Sequence, residues 1–390
     1  MNGFSFPRGS KVAIIHDWLS TFGGAEKVVE QLLRLFPQAD LFSLIDILPD
    51  RDRKFLGRHQ IRTSFLQRLP RISTSYRSYL PLMPLAIERF DLSAYDLIIS
   101  DCHAVSKGVR TAPEQLHLSY IHAPIRYAWD MEQDYLQLFN LRGLRGSLAR
   151  ALLSYIRVWD RRAARRPDRL MANSHFCARR IERAYQRPST VIHPPVNTEY
   201  YAPGPPKDDF FVTAARLVPY KRVDLIVQAF RQMPDKRLFV IGDGPEAARI
   251  RRLCGANVVW LGYQPDSVLR DHLQRARAFL FAAREDFGIL PVEAQACGTP
   301  VIAFGEGGAT ETVSGPEADA PTGVFFPAQT VPAICAAVRD FERVSRTISI
   351  ANCRRNAERF SVGRFQREFQ NFVSAAWAEH EHTHAARAAA

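Results

Sequence analysis

The chain has 390 residues, 46% of them hydrophobic and 11% aromatic against 24% charged. This composition supports packed cores and excludes disordered, collagen-like and low-complexity classes. The length predicts two domains rather than one. The net charge of +12 is concentrated: residues 142–187 hold 13 arginines against Asp160, Asp168 and Glu182. Residues 51–77 hold Arg51, Arg53, Lys54, Arg58, Arg62, Arg68, Arg71 and Arg77 against Asp52. The second block is interleaved with Phe55, Leu56, Phe65, Leu66 and Leu69, a mixture that suits an anionic bilayer surface. A solvated face or nucleic acid would also suit such charge, but no helix-turn-helix, zinc-finger or RNP-type segment accompanies it.

The cysteines at 102, 177, 254, 297, 335 and 353 form no C-x-x-C pair and read as buried thiols in a reducing compartment. The start, MNGFSFPRGS, lacks the pattern of a secretory leader, and no run of about 18 apolar residues is present to span a bilayer. A cytoplasmic protein without an integral membrane segment is expected.

In chain order, KVAIIH (11–16) predicts a strand, STFGGAEKVVEQLLRLF a Gly-containing turn and then a helix with Val28, Val29, Leu32, Leu33 and Phe36 at helical spacing. YDLIIS (95–100) and LHLSYIH (116–122) repeat the strand pattern, and an Arg-rich helix follows from Leu144 to about Arg166. The proline-rich VIHPPVNTEYYAPGPP (191–206) reads as a linker. Beyond it, strands are expected at 210–215, 237–242, 258–262, 278–283 and 299–304, each before a helix. The last helix is expected over about Val362–Ala378, crossing back to the first domain, with HEHTHAARAAA (380–390) frayed. Alternating strands and helices in both halves give an α/β protein of two doubly wound, Rossmann-like domains: 1–195, 196–362, the helix 363–378 and a flexible tail 379–390. Such domains place ligands at the carboxyl ends of their strands, here in an expected interdomain cleft.

Four strand-end loops in the second half carry chemistry. AARLVPYKRVD sets Arg216 and Lys221 before a helix start, where two cations and free amides can converge on a phosphate; two surface cations is the plainer alternative. VIGDGPEAA sets Gly242 and Gly244 at a strand end, where backbone can approach a ligand closely. AAREDFGILPVEAQA sets Glu285 at a strand end and Glu293 about two turns into the next helix, with Phe287, Gly288, Ile289 and Leu290 near its N-terminus. Two carboxylates at different depths can accept from two sets of hydroxyls, or one can simply cap the helix while the other is solvated. FGEGGATETV adds Gly305, Gly307, Gly308 and Glu311.

Together these loops resemble the retaining, GT-B-fold glycosyltransferases of family four, from about Lys11 to Phe365. The spacing of Glu285 and Glu293 and the Arg216/Lys221 pair carry the likeness. GGAEKV (23–28), SDCHAVSKGV (100–109), YIHAPIRYAWD (120–130) and ANSHF (172–176) resemble the subgroup that uses GDP-mannose on lipid-linked glycans of O-antigen and exopolysaccharide pathways. The resemblance implies that Arg216 and Lys221 hold the donor diphosphate and stabilise its growing charge. It further implies that Glu293 accepts from the ribose hydroxyls, Glu285 from the sugar 3- and 4-hydroxyls, and that the amides of Phe287–Leu290 touch sugar and phosphate. Gly23 and Gly24 would approach the diphosphate from the first domain. His122 would sit beside the donor sugar, with Arg126, Tyr127 and Trp129 on the acceptor side.

The implied reaction is retaining transfer of mannose to a polyprenyl-diphosphate-linked glycan, with no cofactor and no metal, at the cytoplasmic face of an anionic membrane and without nucleic acid. Same-face attack through an ion pair and a covalent Glu285 intermediate both remain open. UDP-glucose or another nucleotide sugar is the alternative donor, and a non-catalytic GT-B subunit the alternative class. The chain reads EDFG where the family usually has E-G-F-G, and PPVN in the linker where many members have N-G-V-D. His380-Glu381-His382-Thr383-His384 satisfies a zinc pattern but lies in the last eleven residues with no third ligand after it.

Overall fold

A computed structural model of the chain describes residues 9–130 and 143–389. The leader reading therefore falls largely outside the described residues. The fold divides into two compact units, Met1–Pro195 with Phe365–Ala390, and Val196–Arg364.

The first unit contains a seven-stranded sheet: β1 (Val12–His16), β2 (Asp40–Ser43), β3 (Ile61–Thr63), β4 (Leu97–Cys102), β5 (Leu116–Ile121), β6 (Arg169–Ala172) and β7 (Thr190–Val191), in the order β3-β2-β1-β4-β5-β6-β7. Each pairing is parallel. Alternate residues feed two faces. Val12, Ile14, Leu97, Ile99, Leu118 and Tyr120 pack with Val28, Val29 and Leu32 of the helix Gly24–Leu35. Ala13, Ile15 and Ile98 pack on the opposite face with Met83, Ile87 and Ile156. Both faces are covered, which is why the central strands read as unbroken apolar runs.

The second unit has six parallel strands: β8 (Phe211–Ala214), β9 (Leu238–Ile241), β10 (Val258–Gly262), β11 (Ala278–Phe281), β12 (Val301–Phe304) and β13 (Gly323–Phe326), in the order β10-β9-β8-β11-β12-β13. Phe211, Leu238, Val240 and Leu280 pack beneath the helices Val223–Arg231 and Val331–Val344; Val212, Phe279 and Phe281 pack on the other face with Val292 and Phe360. In both sheets the strand order reverses once, between β1 and β4 and between β8 and β11. Those switch points are where doubly wound sheets leave room for ligands beyond the strand ends.

Several expectations need correction. The five strands β2, β3, β6, β7 and β13 were not expected; β3 and β7 are edge strands of three and two residues, and β6 opens on the exposed Arg169. The final helix runs Val362–Ala389, so the segment read as a frayed tail is helical, in keeping with its alanine content. Its Phe365, Phe369, Val373 and Ala376 are buried in the first unit's core.

Candidate active site

In the second unit, the loops after β8, β9, β11 and β12 lie at one edge of the parallel sheet. Arg216 is exposed two residues beyond β8. Lys221 closes the short turn Pro219–Lys221, and the helix after it starts at Val223. The Lys221 ammonium contacts the Glu285 carboxylate, bringing together two residues separated by 64 positions in sequence.

Gly288, at φ 84°, caps the helix Ile289–Ala296, a backbone conformation that glycine adopts without penalty. Glu293 is therefore the fifth residue of that helix, just over one turn in rather than two, and is buried. Burial and then the Glu293 charge push the nearby Tyr201 hydroxyl well above its ordinary range. Phe287 packs edge-on against Phe360 at 5.5 Å, so its side chain belongs to the core. Ile289 and Leu290 form the first turn, whose amides lack partners within the helix.

The glycines of these loops also serve the fold itself. A Cβ on Gly242, which has φ 135°, would stand 1.9 Å from the Ala215 carbonyl oxygen. A Cβ on Gly308 would stand 2.4 Å from both Asp286 O and Phe287 Cα, while its N–H donates to Glu285 O at 2.8 Å. Gly244 is likewise set against Leu217. These residues let neighbouring loops lie backbone to backbone, and so fix where Arg216 and Glu285 stand.

In the first unit, His16 and Asp101 are register partners at the ends of β1 and β4. Three carboxylates and three imidazoles collect there. His16 Nδ1 lies 2.8 Å from Asp101 Oδ2, and His122 Nε2, just past β5, lies 2.7 Å from Asp101 Oδ1. His16 Nε2 is 3.5 Å from Glu26 Oε1, and Glu26 Oε2 accepts the Gly23 N–H at 2.9 Å. Asp17 accepts four backbone N–H groups, from His103, Ala104, Val105 and Ser106, at 2.6–2.7 Å. That cradle turns the chain after β4 so that His103 Nδ1 comes within 3.3 Å of Asp17.

Burial alone would lower the His16 pKa, but pairing with Asp101 and Glu26 outweighs it and pushes it up to about 10. His16 is thus an imidazolium at neutral pH. Burial would raise Asp101, yet its pairing with His122 and His16 holds it well below the ordinary carboxylate range. Glu26 is lowered in the same way, its own burial outweighed by His16, whereas burial keeps His103 below its usual value and neutral.

Gly23 N–H donates to Glu26 Oε2, and Gly24 opens the helix, with first-turn amides unpaired within it. Behind the cluster, Lys107 pairs with the buried Asp160, which also accepts from Trp129 Nε1 at 2.8 Å and Tyr185 OH at 2.9 Å. Of the residues in this cluster, sequence reasoning singled out only His122, Gly23 and Gly24. His16, Asp17, Glu26, Asp101 and His103 were missed, although polar residues ending the apolar runs VAIIH and LIISDC were a readable signal.

Comparison with known proteins agrees with this anatomy. Residues 22–200 match the model described as Glycosyltransferase Family 4, and residues 202–360 the model described as Glycosyl transferases group 1. The chain is 32% identical over 178 residues to a GDP-mannose-dependent monoacylated alpha-(1-6)-phosphatidylinositol monomannoside mannosyltransferase of Corynebacterium glutamicum, covering 38% of this chain and 47% of that protein. It is 29% identical over 221 residues to a GDP-mannose-dependent alpha-(1-6)-phosphatidylinositol monomannoside mannosyltransferase of Mycolicibacterium smegmatis, covering 49% and 57%. The chain thus spans about half the length of the curated relatives it matches. Sucrose-phosphate synthase of Thermosynechococcus elongatus superposes with a TM-score of 0.72 at 18% identity over 95% of this chain and 100% of that one. Anabaena HepE in complex with UDP superposes at 0.63, 18% identity, 94% and 100%. The two parallel-sheet units, the two family models and these structural neighbours together place the chain in the GT-B glycosyltransferase fold of family 4 and group 1.

Proposed function

We propose that the protein is a retaining mannosyltransferase that moves mannose from GDP-mannose to a lipid-linked, polyprenyl-diphosphate glycan in cell-surface polysaccharide assembly. The observation that carries this reading is the contact of Lys221 with Glu285 across the switch point of the second sheet, with Arg216 on the same loop as Lys221 and Glu293 on the helix that follows Glu285. Cations preorganised beside a departing diphosphate stabilise charge that grows only in the transition state. Arg216 and Lys221 fill that role, Glu293 takes the ribose hydroxyls, and Glu285 takes the sugar hydroxyls. Glu285 lies against the Lys221 ammonium, an arrangement that suits orienting a sugar better than attacking it. His122 is assigned to the reacting sugar, and the relatives named for GDP-mannose support the choice of donor.

Surface chemistry supports a lipid-borne acceptor. Phe65, Leu82 and Leu85 are exposed among the exposed Arg58, Arg62, Arg68, Arg71 and Arg77. On the helix Gly143–Ala163, Leu148, Tyr155 and Val158 form an exposed apolar stripe beside Arg145, Arg150, Arg161 and Arg162. Apolar side chains set among arginines suit the interface of an anionic leaflet at about 1 kcal/mol per cation. No helix among the described residues is long and apolar enough to cross a membrane.

The test is a panel of nucleotide sugars read by thermal stabilisation and slow donor hydrolysis, with wild type and Glu293→Ala side by side. A ligand at about 100 times its Kd stabilises the native state by about 2.7 kcal/mol. GDP-mannose should stabilise wild type and leave the variant unmoved. Stabilisation by UDP-glucose instead would replace the donor, and the absence of any response would reject the transferase reading.

A further inference from the structure

Asp101 occupies an unusual position for a buried carboxylate: each of its oxygens is taken by a different imidazole. Oδ2 faces His16 Nδ1 at 2.8 Å and Oδ1 faces His122 Nε2 at 2.7 Å. An ionised carboxylate has no proton to give, so both imidazole nitrogens must donate. His16 lies between Asp101 and Glu26, two carboxylates on separate elements, and is completely buried. A neutral His16 would leave one of those carboxylates without a countercharge in a dry site, which is the costly arrangement. His16 therefore carries the compensating positive charge, and Asp101 is free to hold a second imidazole without a second buried proton.

We propose that Asp101, backed by His16, is a positioning residue that fixes His122 in the Nε2–H tautomer and leaves Nδ1 as the ring nitrogen it presents to a ligand. Of these three, His122 is the partly accessible one, its side chain 13% exposed against 0% for His16 and Asp101. Its other surroundings hold the ring without competing for Nδ1. Tyr120 packs edge-on at 5.2 Å, and the His122 carbonyl accepts Asn173 Nδ2 at 2.9 Å and the Cys177 thiol at 3.4 Å. The charged and titratable groups around it are Asp101 on β4, His16 at the end of β1 and Asp17 just after it, Tyr120 on β5, His103 after β4, Glu26 behind His16, and Cys177 on the helix His175–Tyr185. Nδ1 as a lone-pair acceptor suits a sugar hydroxyl. What Nδ1 meets rests on the transferase reading above, whereas the tautomer does not.

The coupling follows from charge. His16 offsets part of the Asp101 charge, so removing it leaves Asp101 to act on the His122 ring alone. His16→Asn keeps a donor at the position of Nδ1 while deleting the positive charge. Asp101→Asn instead keeps the shape but leaves one acceptor and one donor for two imidazoles, so His122 is no longer held in one tautomer; in serine-protease triads the equivalent amide substitution leaves the geometry and costs about 10⁴ in kcat.

The experiment uses the full chain labelled with ¹⁵N-histidine, with His122→Asn for assignment. In wild type, His122 should show a protonated Nε2 and an unprotonated Nδ1. Asp101→Asn should mix the two tautomers, and His16→Asn should shift the His122 ring-nitrogen signals while Nε2 keeps its proton. With GDP-mannose and acceptor, Asp101→Asn should lower kcat roughly tenfold or more while KM for the donor changes less than about twofold. If Asp101→Asn fails to fold, the His16→Asn shift decides. A proton on Nδ1 in wild type, or a His122 signal that neither substitution alters, overturns the proposal. Absence of turnover with every nucleotide sugar would reject the transferase reading while the ring spectra still decide the tautomer.

Discussion

His16 carries a charge that folding must protect, and its pH signature is specific. In an unfolded chain it titrates near 6.5; in the folded protein, after burial is outweighed by Asp101 and Glu26, near 10. A raised folded pKa gives stability that is complete below pH 6.5 and lost progressively as pH climbs toward 10. Asp101 and Glu26 behave oppositely: their lowered values stabilise above the ordinary carboxylate range and fail as pH falls through it. We predict that the melting-temperature gap between wild type and His16→Asn is widest near pH 6 and narrows steadily to pH 9.5. A gap that stays constant across that range would mean that His16 is held neutral. At this scale the sequence was uneven. Arg216, Lys221, Glu285 and Glu293 could be picked out because they sit within short strings of distinctive spacing. The pairing of His16 with Asp101 depends on the register of β1 against β4, across 85 positions, and no local pattern encodes it.

The same contrast holds for whole elements. β1, β4, β5, β8, β11 and β12 lie inside their sheets with both faces covered, and their β-branched runs were legible. β3 and β7 are edges of three and two residues, stabilised by neighbours rather than by their own side chains. Loop geometry was legible as composition but not as cause, since the glycines serve contacts between loops. Gly308→Ala should cost about 1–3 kcal/mol, because Asp286 and Phe287 backbone atoms must move to admit the methyl group. Displacement of Glu285 should accompany it, read as weaker stabilisation by donor. A second tie joins the turn after β4 to the helix Gly143–Ala163 through Lys107 and Asp160. Lys107→Met strands the Asp160 charge and should cost about 3–5 kcal/mol, while adding Asp160→Asn should restore part of it. Equal stability of the single and double variants would show that no charge had been stranded.

At the scale of the molecule, chain order and spatial order diverge: the helix that ends the chain belongs to the first unit's core. Phe365 and Phe369 are fully buried among Ile14, Leu32, Leu118 and Tyr120, and Phe365 packs edge-on to Tyr120 at 6.1 Å. Phe369→Ala should cost about 3–5 kcal/mol, and the loss should be local. Hydrogen exchange should quicken in β1, β4, β5 and the helix Gly24–Leu35 and stay unchanged in β8–β13; uniform acceleration would mean that the two units unfold as one. The surface of that first unit also carries the membrane prediction. Arg62, Arg68 and Arg71 are exposed beside Phe65, so reversing them to Glu changes the local charge by six with little burial at stake. At about 1 kcal/mol per cation near an anionic leaflet, each lost arginine weakens binding about fivefold, and the added carboxylates are repelled besides. Recovery on phosphatidylserine liposomes should therefore collapse while the nucleotide-sugar response persists. Equal recovery of variant and wild type would move the lipid surface to the Leu148–Val158 stripe, where Leu148→Glu with Tyr155→Glu makes the same measurement.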